Sequence, residues 1–159
     1  MNNNTTFQKY NIMLKKCKDS FKQKFVLLCK EINNINDIIL MKVNQNKWVD
    51  IVNLSVIAII LHKMHKKEKL EEIYYGYDMC IKKAKFVMEK KNSDYGNAWI
   101  TMEYSSIKDI ILQKIFRIQN IEKNLLKITN SHDKIQDNYI DVLNYCIFLL
   151  IKEKEEKFI

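Results

Sequence analysis

Asp37-Ile38-Ile39-Leu40-Met41-Lys42 returns later in the chain as Asp109-Ile110-Ile111-Leu112-Gln113-Lys114. A second block, Trp48-Val49-Asp50-Ile51-Val52-Asn53, returns as Tyr139-Ile140-Asp141-Val142-Leu143-Asn144. Earlier in each half, Tyr10 and Lys15-Lys16 are matched by Tyr77 and Lys82-Lys83. Three matches in the same order predict an internal duplication. The expected division is a degenerate first repeat over residues 1–66 and a second repeat over 67–159, folded together as one compact domain. Each repeat reads as three helices. The first carries Tyr10, Met13, Leu14, Cys17, Phe21 and Phe25 on one stripe, and its counterpart carries Tyr77, Ile81, Ala84 and Met88. The fold class that follows is all-α, a six-helix bundle about a pseudo-twofold axis, comparable to a dimer fused into one chain.

Composition agrees. The 159 residues are 47% hydrophobic, with two Gly and no Pro, so the usual punctuation of hairpins and sheets is missing. The expected helices run over about 7–30, 35–43, 47–65, 70–91, 106–122 and 134–154, with Ser105 or Ser106 as an N-cap. The charged stretch Lys66 to Glu72 is the expected boundary between the repeats. The formal charge of +8 comes from lysines scattered along every helix. It reads as solvated helix faces rather than a nucleic-acid footprint. The two most apolar runs contain Asp and Asn and fall short of the roughly 20 residues that cross a bilayer. The four cysteines form no CxxC pair and read as small core fillers. The expectation is a cytoplasmic protein with no membrane or nucleic-acid partner, a monomeric pseudo-dimer or a homodimer.

The halves differ in one place. The second carries Asp94-Tyr95-Gly96-Asn97-Ala98-Trp99, where the first has the apolar run Phe25-Val26-Leu27-Leu28-Cys29-Lys30. The second half therefore reads as the working copy. Gly96 permits a left-handed helix end. Tyr95 and Trp99 offer rings for a base, or plug the end of the bundle. Asp94 could ligate metal or orient water. On the last helix Asp137, Asp141, Asn144, Tyr145 and Phe148 share one face. Two carboxylates one turn apart in an apolar helix suit Mg²⁺, or simply favour the helix dipole. Lys114 and Arg117 stand one turn apart and suit a phosphate, unless Arg117 pairs with Asp109 or Asp141. His62 and His65 sit among lysines, a poor setting for zinc. No phosphate-binding GxxxxGK loop, GxGxxG or GxSxG is present.

Taken in order, Lys91-x-x-Asp94-Tyr95-Gly96-x-Ala98-Trp99, Ser106-x-x-Asp109, Lys114-x-x-Arg117 and Asp141-x-x-Asn144-Tyr145 resemble the bacterial nucleotide-modification-associated domain of the first type, in its tandem-repeat form. The resemblance covers most of residues 74–155. A more distant similarity is to MazG-like all-α nucleoside triphosphate pyrophosphatases. The chain departs from typical members, which carry an acidic ExxE pair on the first helix; here only Glu89 and Asp94 lie nearby. The resemblance implies acids that hold Mg²⁺ over a nucleotide's phosphates while water attacks to release pyrophosphate. Under it, Asp137 and Asp141 hold the metal, and Asp94 and Asp109 are catalytic. Lys114, Arg117, Tyr95, Trp99 and Asn144 bind the nucleotide. The reading is thus a nucleotide-binding protein and a candidate Mg²⁺-dependent pyrophosphohydrolase. Its alternative is a helical interaction module without activity.

Overall fold

A computed structural model describes residues 3–26, 29, 33–63 and 69–156. Leu27, Leu28, Lys30, His65 and the first part of the expected boundary, Lys66 to Glu68, lie outside the described residues. Six α-helices and no strand are found among those described: α1 Asn3–Ser20, α2 Ile35–Asn44, α3 Trp48–Lys63, α4 Leu70–Tyr95, α5 Tyr104–Lys123 and α6 Ser131–Glu156.

Helix ends show how a chain with two glycines makes its turns. Asn34, Asn46, Asn97 and Asn130 all adopt positive φ of 55–58°, the left-handed conformation that asparagine tolerates best after glycine. Several boundaries differ from the sequence reading, among them the start of α6, which lies at Ser131 rather than at about 134. α1 does not run on as an α-helix to residue 30. After Ser20 the chain widens into a π-helical stretch, Phe21–Phe25, in which the Val26 N–H reaches the Phe21 carbonyl. α4 extends through Asp94 and Tyr95, which the sequence placed in a loop. α5 begins at Tyr104, not after Ser105 or Ser106. Glu103 is the extended cap residue, and its carbonyl takes the N–H groups of Ser106 and Ile107.

Each helix of the first half lies antiparallel to its counterpart in the second. Lys18 pairs with Asp78, and the Lys85 ammonium stands over the Phe7 ring, tying α1 to α4 at both ends. Asn36 donates to Glu122 and Lys108 to Asn46, tying α2 to α5. His62 meets His132, and Trp48 donates to Glu153, tying α3 to α6. Helix α6 is buried nearly all round, with Tyr139, Ile140, Leu143, Cys146, Ile147 and Leu150 inside. The sequence reading gave this helix one polar face; on it Asp137, Asp141 and Tyr145 keep some exposure, whereas Asn144 and Phe148 are buried. Buried apolar side chains from both halves form one core cluster.

At its centre lies a reciprocal pair of polar contacts. The Tyr10 hydroxyl donates to Asn144 Oδ1 at 2.6 Å, and the Tyr77 hydroxyl donates to Asn53 Oδ1 at 3.0 Å. The other amide edge of each asparagine turns back to its own half: Asn53 Nδ2 donates to the Cys17 carbonyl, and Asn144 Nδ2 to the Ala84 carbonyl. Burial drives both tyrosine pKa values far above 10, so both hydroxyls stay neutral donors. A buried polar group without a partner costs about 1–3 kcal/mol. Here each asparagine and tyrosine satisfies the other, and the pair fixes how α1, α3, α4 and α6 meet. All four described cysteines are free and buried, and burial pushes the Cys17 thiol up to about 12. They are core fillers, as the sequence suggested.

Candidate functional site

Asp141 sits one turn before Asn144 on α6, at the edge of the buried core. Its side chain is 12% exposed, and each oxygen takes one ammonium group. Lys91 of α4 approaches Oδ1 at 2.5 Å, and Lys114 of α5 approaches Oδ2 at 3.0 Å. The same contact exists in the first half, where Lys42 pairs with Asp50 at 3.0 Å. Among the described residues, only the second half adds a further lysine. Lys24, which occupies the position of Lys91 when Tyr10 is set on Tyr77, is exposed and makes no ion pair among the described residues.

Two adjoining clefts open beside this triad. One, about 320 Å³, is lined mainly by Met88, Ala98, Trp99, Met102, Tyr145 and Phe148. The other, about 480 Å³, is lined by Phe86, Val87, Lys90, Asp94, Asp137 and Ile140. Lys91, Tyr95 and Asp141 line both and so stand between them. The first cleft is aromatic. Trp99 is buried and stacks parallel on Phe148, with centroids 4.5 Å apart. Tyr145 meets Phe148 edge-on. Lys152 spans the far side of Trp99, its ammonium 5.9 Å from the ring centroid and bonded to the Ile100 carbonyl. The Trp99 indole N–H has no hydrogen-bond partner among the described residues. Tyr95 is 71% exposed. Burial raises the pKa of the Tyr145 hydroxyl against the opposing pull of Lys91, so it stays a donor.

The loop that builds this region follows from its sequence. Gly96 and Asn97 adopt consecutive left-handed conformations, φ 63° and 58°. A Cβ on Gly96 would meet nothing within 4 Å, so the constraint there is backbone conformation rather than space. The reversal ends α4 and leads into the short 3₁₀ turn Ala98–Ile100 that buries Trp99.

The structure therefore gathers Asp94, Tyr95, Trp99, Asp137, Asp141 and Asn144 around one pair of clefts, with Lys114 behind Asp141. It does not bring Asp109 or Arg117 there. The buried stripe of α5 is Ile107, Ile111, Ile115, Ile118 and Ile121. On an ideal helix Lys114 lies roughly 40° from the middle of that stripe, Arg117 roughly 100° and Asp109 roughly 180°. Asp109 and Arg117 are exposed, and neither makes an ion pair among the described residues, with each other or with Asp141. Asp137 is 68% exposed in its side chain and pairs loosely with Lys83 at 3.6 Å. Asn144 lines the aromatic cleft, but its amide is spent on Tyr10 and Ala84.

A bound Mg²⁺ needs several oxygen ligands at once. No group of three or more His, Cys, Asp or Glu side chains able to hold a metal occurs among the described residues. Both Asp141 oxygens already face ammonium groups. The donor set does not fit a resident metal. The sequence reading assigned no role to Lys91, although it stands in the quoted motif three residues before Asp94. It also missed the His62–His132 contact, with ring nitrogens 3.1 Å apart; nothing in the spacing of those residues signals it.

Residues 91–152 match a family model. It is the model described as Nucleotide modification associated domain 1. The match begins at Lys91 and ends on α6, taking in the helix end, the loop, α5 and the Asp141–Asn144 turn. No curated protein and no solved structure matches the chain. No helix among the described residues is long and apolar enough to cross a membrane.

Proposed function

We propose that the paired clefts around Lys91, Tyr95 and Asp141 bind a nucleotide. The observation that carries this reading is the contrast between equivalent positions in the two halves. Aligning Tyr10 with Tyr77, and Asn53 with Asn144, sets the cleft walls Met88, Asn92, Tyr145 and Phe148 on Phe21, Phe25, Leu54 and Ile57. All four first-half side chains are buried, with Phe21 packed 4.4 Å from the Tyr77 ring, whereas Asn92 and Tyr145 are partly exposed and all four second-half residues line the cleft. Apart from Met88, the residues that line this cleft lie within the stretch that the nucleotide-modification-associated model matches. An aromatic cleft beside ammonium groups suits a base joined to a phosphate.

In this reading the chain is a tandem duplication whose first repeat has lost its site. The reciprocal Tyr–Asn bonds, the repeated Lys–Asp pair and the antiparallel pairing of counterpart helices support it. Tyr95 and the Trp99–Phe148 wall meet the base, and the lysines meet phosphate. Kinship with MazG-like pyrophosphatases, and pyrophosphate release as the reaction, belong to the same proposal. Mg²⁺ would then enter with the triphosphate as substrate, and the exposed carboxylates Asp94 and Asp137, the latter only loosely paired with Lys83, are the ones to meet it. The second reading, an interaction module without activity, is favoured by the engagement of Asp141 with two lysines and by the outward positions of Asp109 and Arg117.

The test is calorimetry with ribo- and deoxyribonucleoside triphosphates, with Mg²⁺ and in EDTA, alongside an assay for released pyrophosphate. Binding with turnover supports the hydrolase. Binding without turnover leaves a nucleotide-binding module. No binding by any nucleotide sinks the proposal in favour of the interaction module.

A further inference from the structure

The second half holds one ammonium group more than its own fold requires. In the first half a single lysine satisfies the equivalent carboxylate: Lys42 at 3.0 Å from Asp50, with their side chains 24% and 21% exposed. Lys114 repeats that contact on Asp141 with nearly the same geometry. The Lys114–Asp141 pair is therefore scaffold, common to both halves. Lys91 is the addition. Its side chain is 47% exposed, against 26% for Lys114, so it is the freer of the two. It also stands where the aromatic and acidic clefts join, beside Tyr95. Its first-half counterpart, Lys24, is flanked on α1's continuation by the buried rings of Phe21 and Phe25, which stand at the positions of Met88 and Asn92.

We infer that Lys91 is the residue that takes the phosphate of the bound nucleotide, and that Asp141 holds its place until the ligand arrives. This rests on the nucleotide reading above. A carboxylate oxygen and a phosphate oxygen are interchangeable partners for an ammonium group. The phosphate displaces Asp141 Oδ1, Lys91 turns to it, and Lys114 keeps Asp141 Oδ2 neutralised. The exchange explains why Asp141 is doubly paired in a site meant for an anion. It also sets a specificity. A free phosphate must break the Lys91–Asp141 pair with nothing else to offset it. A nucleoside phosphate gains the contacts of Tyr95 and the Trp99–Phe148 wall at the same time. The favoured ligand class is thus a phosphate ester of an aromatic base, not inorganic phosphate or pyrophosphate.

The experiment is calorimetry in EDTA at low salt, with nucleoside triphosphates and with inorganic pyrophosphate as probes, on the whole chain. Lys91→Gln is expected to weaken nucleotide binding about 10- to 100-fold, with an unchanged thermal melt, since the side chain is nearly half exposed. Asp141→Asn is expected to tighten binding in EDTA, because it releases Lys91 in advance. Inorganic pyrophosphate is expected to bind at least tenfold more weakly than any triphosphate that binds. If the wild type binds nucleotide and Lys91→Gln binds it equally well, the Lys91 assignment is overturned while the nucleotide reading stands. If Asp141→Asn folds and binds more weakly in EDTA, the placeholder role fails; if it does not fold, the Lys91→Gln result decides alone. A wild type that binds no nucleotide overturns both.

Discussion

The two halves share a polar centre and differ in what stands next to it. Around Asn53 the neighbouring space is filled by Phe21, Phe25, Leu54 and Ile57, all buried. Around Asn144 the matching positions, Met88, Asn92, Tyr145 and Phe148, wall an open cleft. The comparison separates scaffold from site without an alignment of relatives. Contacts present in both halves, Tyr–Asn and Lys–Asp, hold the bundle together. Asp94 and Tyr95 are exposed and stand outside those shared contacts, while Trp99 joins the core by stacking on Phe148. It also shows what filling a site does. A ring packed on Tyr77 contributes to stability, whereas a cleft at the same place gives that contribution up.

The largest expected effect tests that exchange directly. Phe21→Ala removes a fully buried ring and should cost about 3–5 kcal/mol. Met88 is buried too, at 3% exposed, but it lines the cleft, so Met88→Ala leaves a space that water can enter and its loss should fall near the low end of the roughly 2–5 kcal/mol range for such truncations. Equilibrium denaturant unfolding of the two variants compares them. Equal losses would break the claim that one side is packed and the other open.

Much of the architecture was legible in the sequence for a physical reason. Repeated apolar blocks must bury the same face twice, and with no proline and two glycines the chain has few alternatives to helices. Helix α2 was expected over 35–43 and runs Ile35–Asn44. The misjudged ends lie where backbone chemistry, not periodicity, decides. Four asparagines took the left-handed role that a pattern-based reading reserves for glycine. A π-helical stretch at Phe21–Phe25 re-aims α1 without any breaker residue. Of the residues lining the two clefts, Asp94, Tyr95 and Trp99 stood out in the sequence because they differ between the halves, and Asp137 and Asp141 because they lie one turn apart. Asp109 entered through its place in the Ser106-x-x-Asp109 motif, and it lies on the exposed side of α5, opposite the buried stripe. Lys91 went unassigned because an ion pair between α4 and α6 depends on how the helices meet, which helical periodicity does not encode.

A smaller difference should separate the two central asparagines. Each, cut to alanine, strands a tyrosine hydroxyl and a backbone carbonyl: Tyr77 and Cys17 for Asn53, Tyr10 and Ala84 for Asn144. Each stranded group costs about 1–3 kcal/mol when dry. Asn53 is enclosed, whereas Asn144 lines the cleft. Water can enter behind the truncated Asn144 and replace part of what is lost. Asn53→Ala should therefore be the more destabilising, by about 1 kcal/mol. Denaturant midpoints at constant slope measure this. The reverse order would sink the idea that water reaches the second centre and not the first.

The smallest effect concerns the two ends of the α3–α6 pair. At one end Trp48, Tyr104 and Glu153 form a closed set of hydrogen bonds. At the other, His62 and His132 face each other with ring nitrogens 3.1 Å apart. Burial lowers the pKa of His62 from 6.5, and the neighbouring charge of His132 lowers it further. The folded state therefore resists protonation there more than the unfolded chain does. Stability from this group is present above pH 6.5 and is lost as pH falls through the depressed folded value. Glu122 and Lys123 of α5 and Asp37 of α2 line the same cleft as His62, with Asp133 next to His132 on α6. Glu122 carries the opposite sign, because burial raises its pKa, so the wild-type trend alone mixes the two. The decisive comparison is with His132→Asn. Between pH 7.5 and 5.5 the wild type should lose on the order of a few degrees in Tm, and the variant less, since burial of His62 remains while the second positive charge is gone. A variant that loses as much as the wild type would show that the paired imidazoles do not repel one another, and that burial alone sets the response of this end of the bundle to pH.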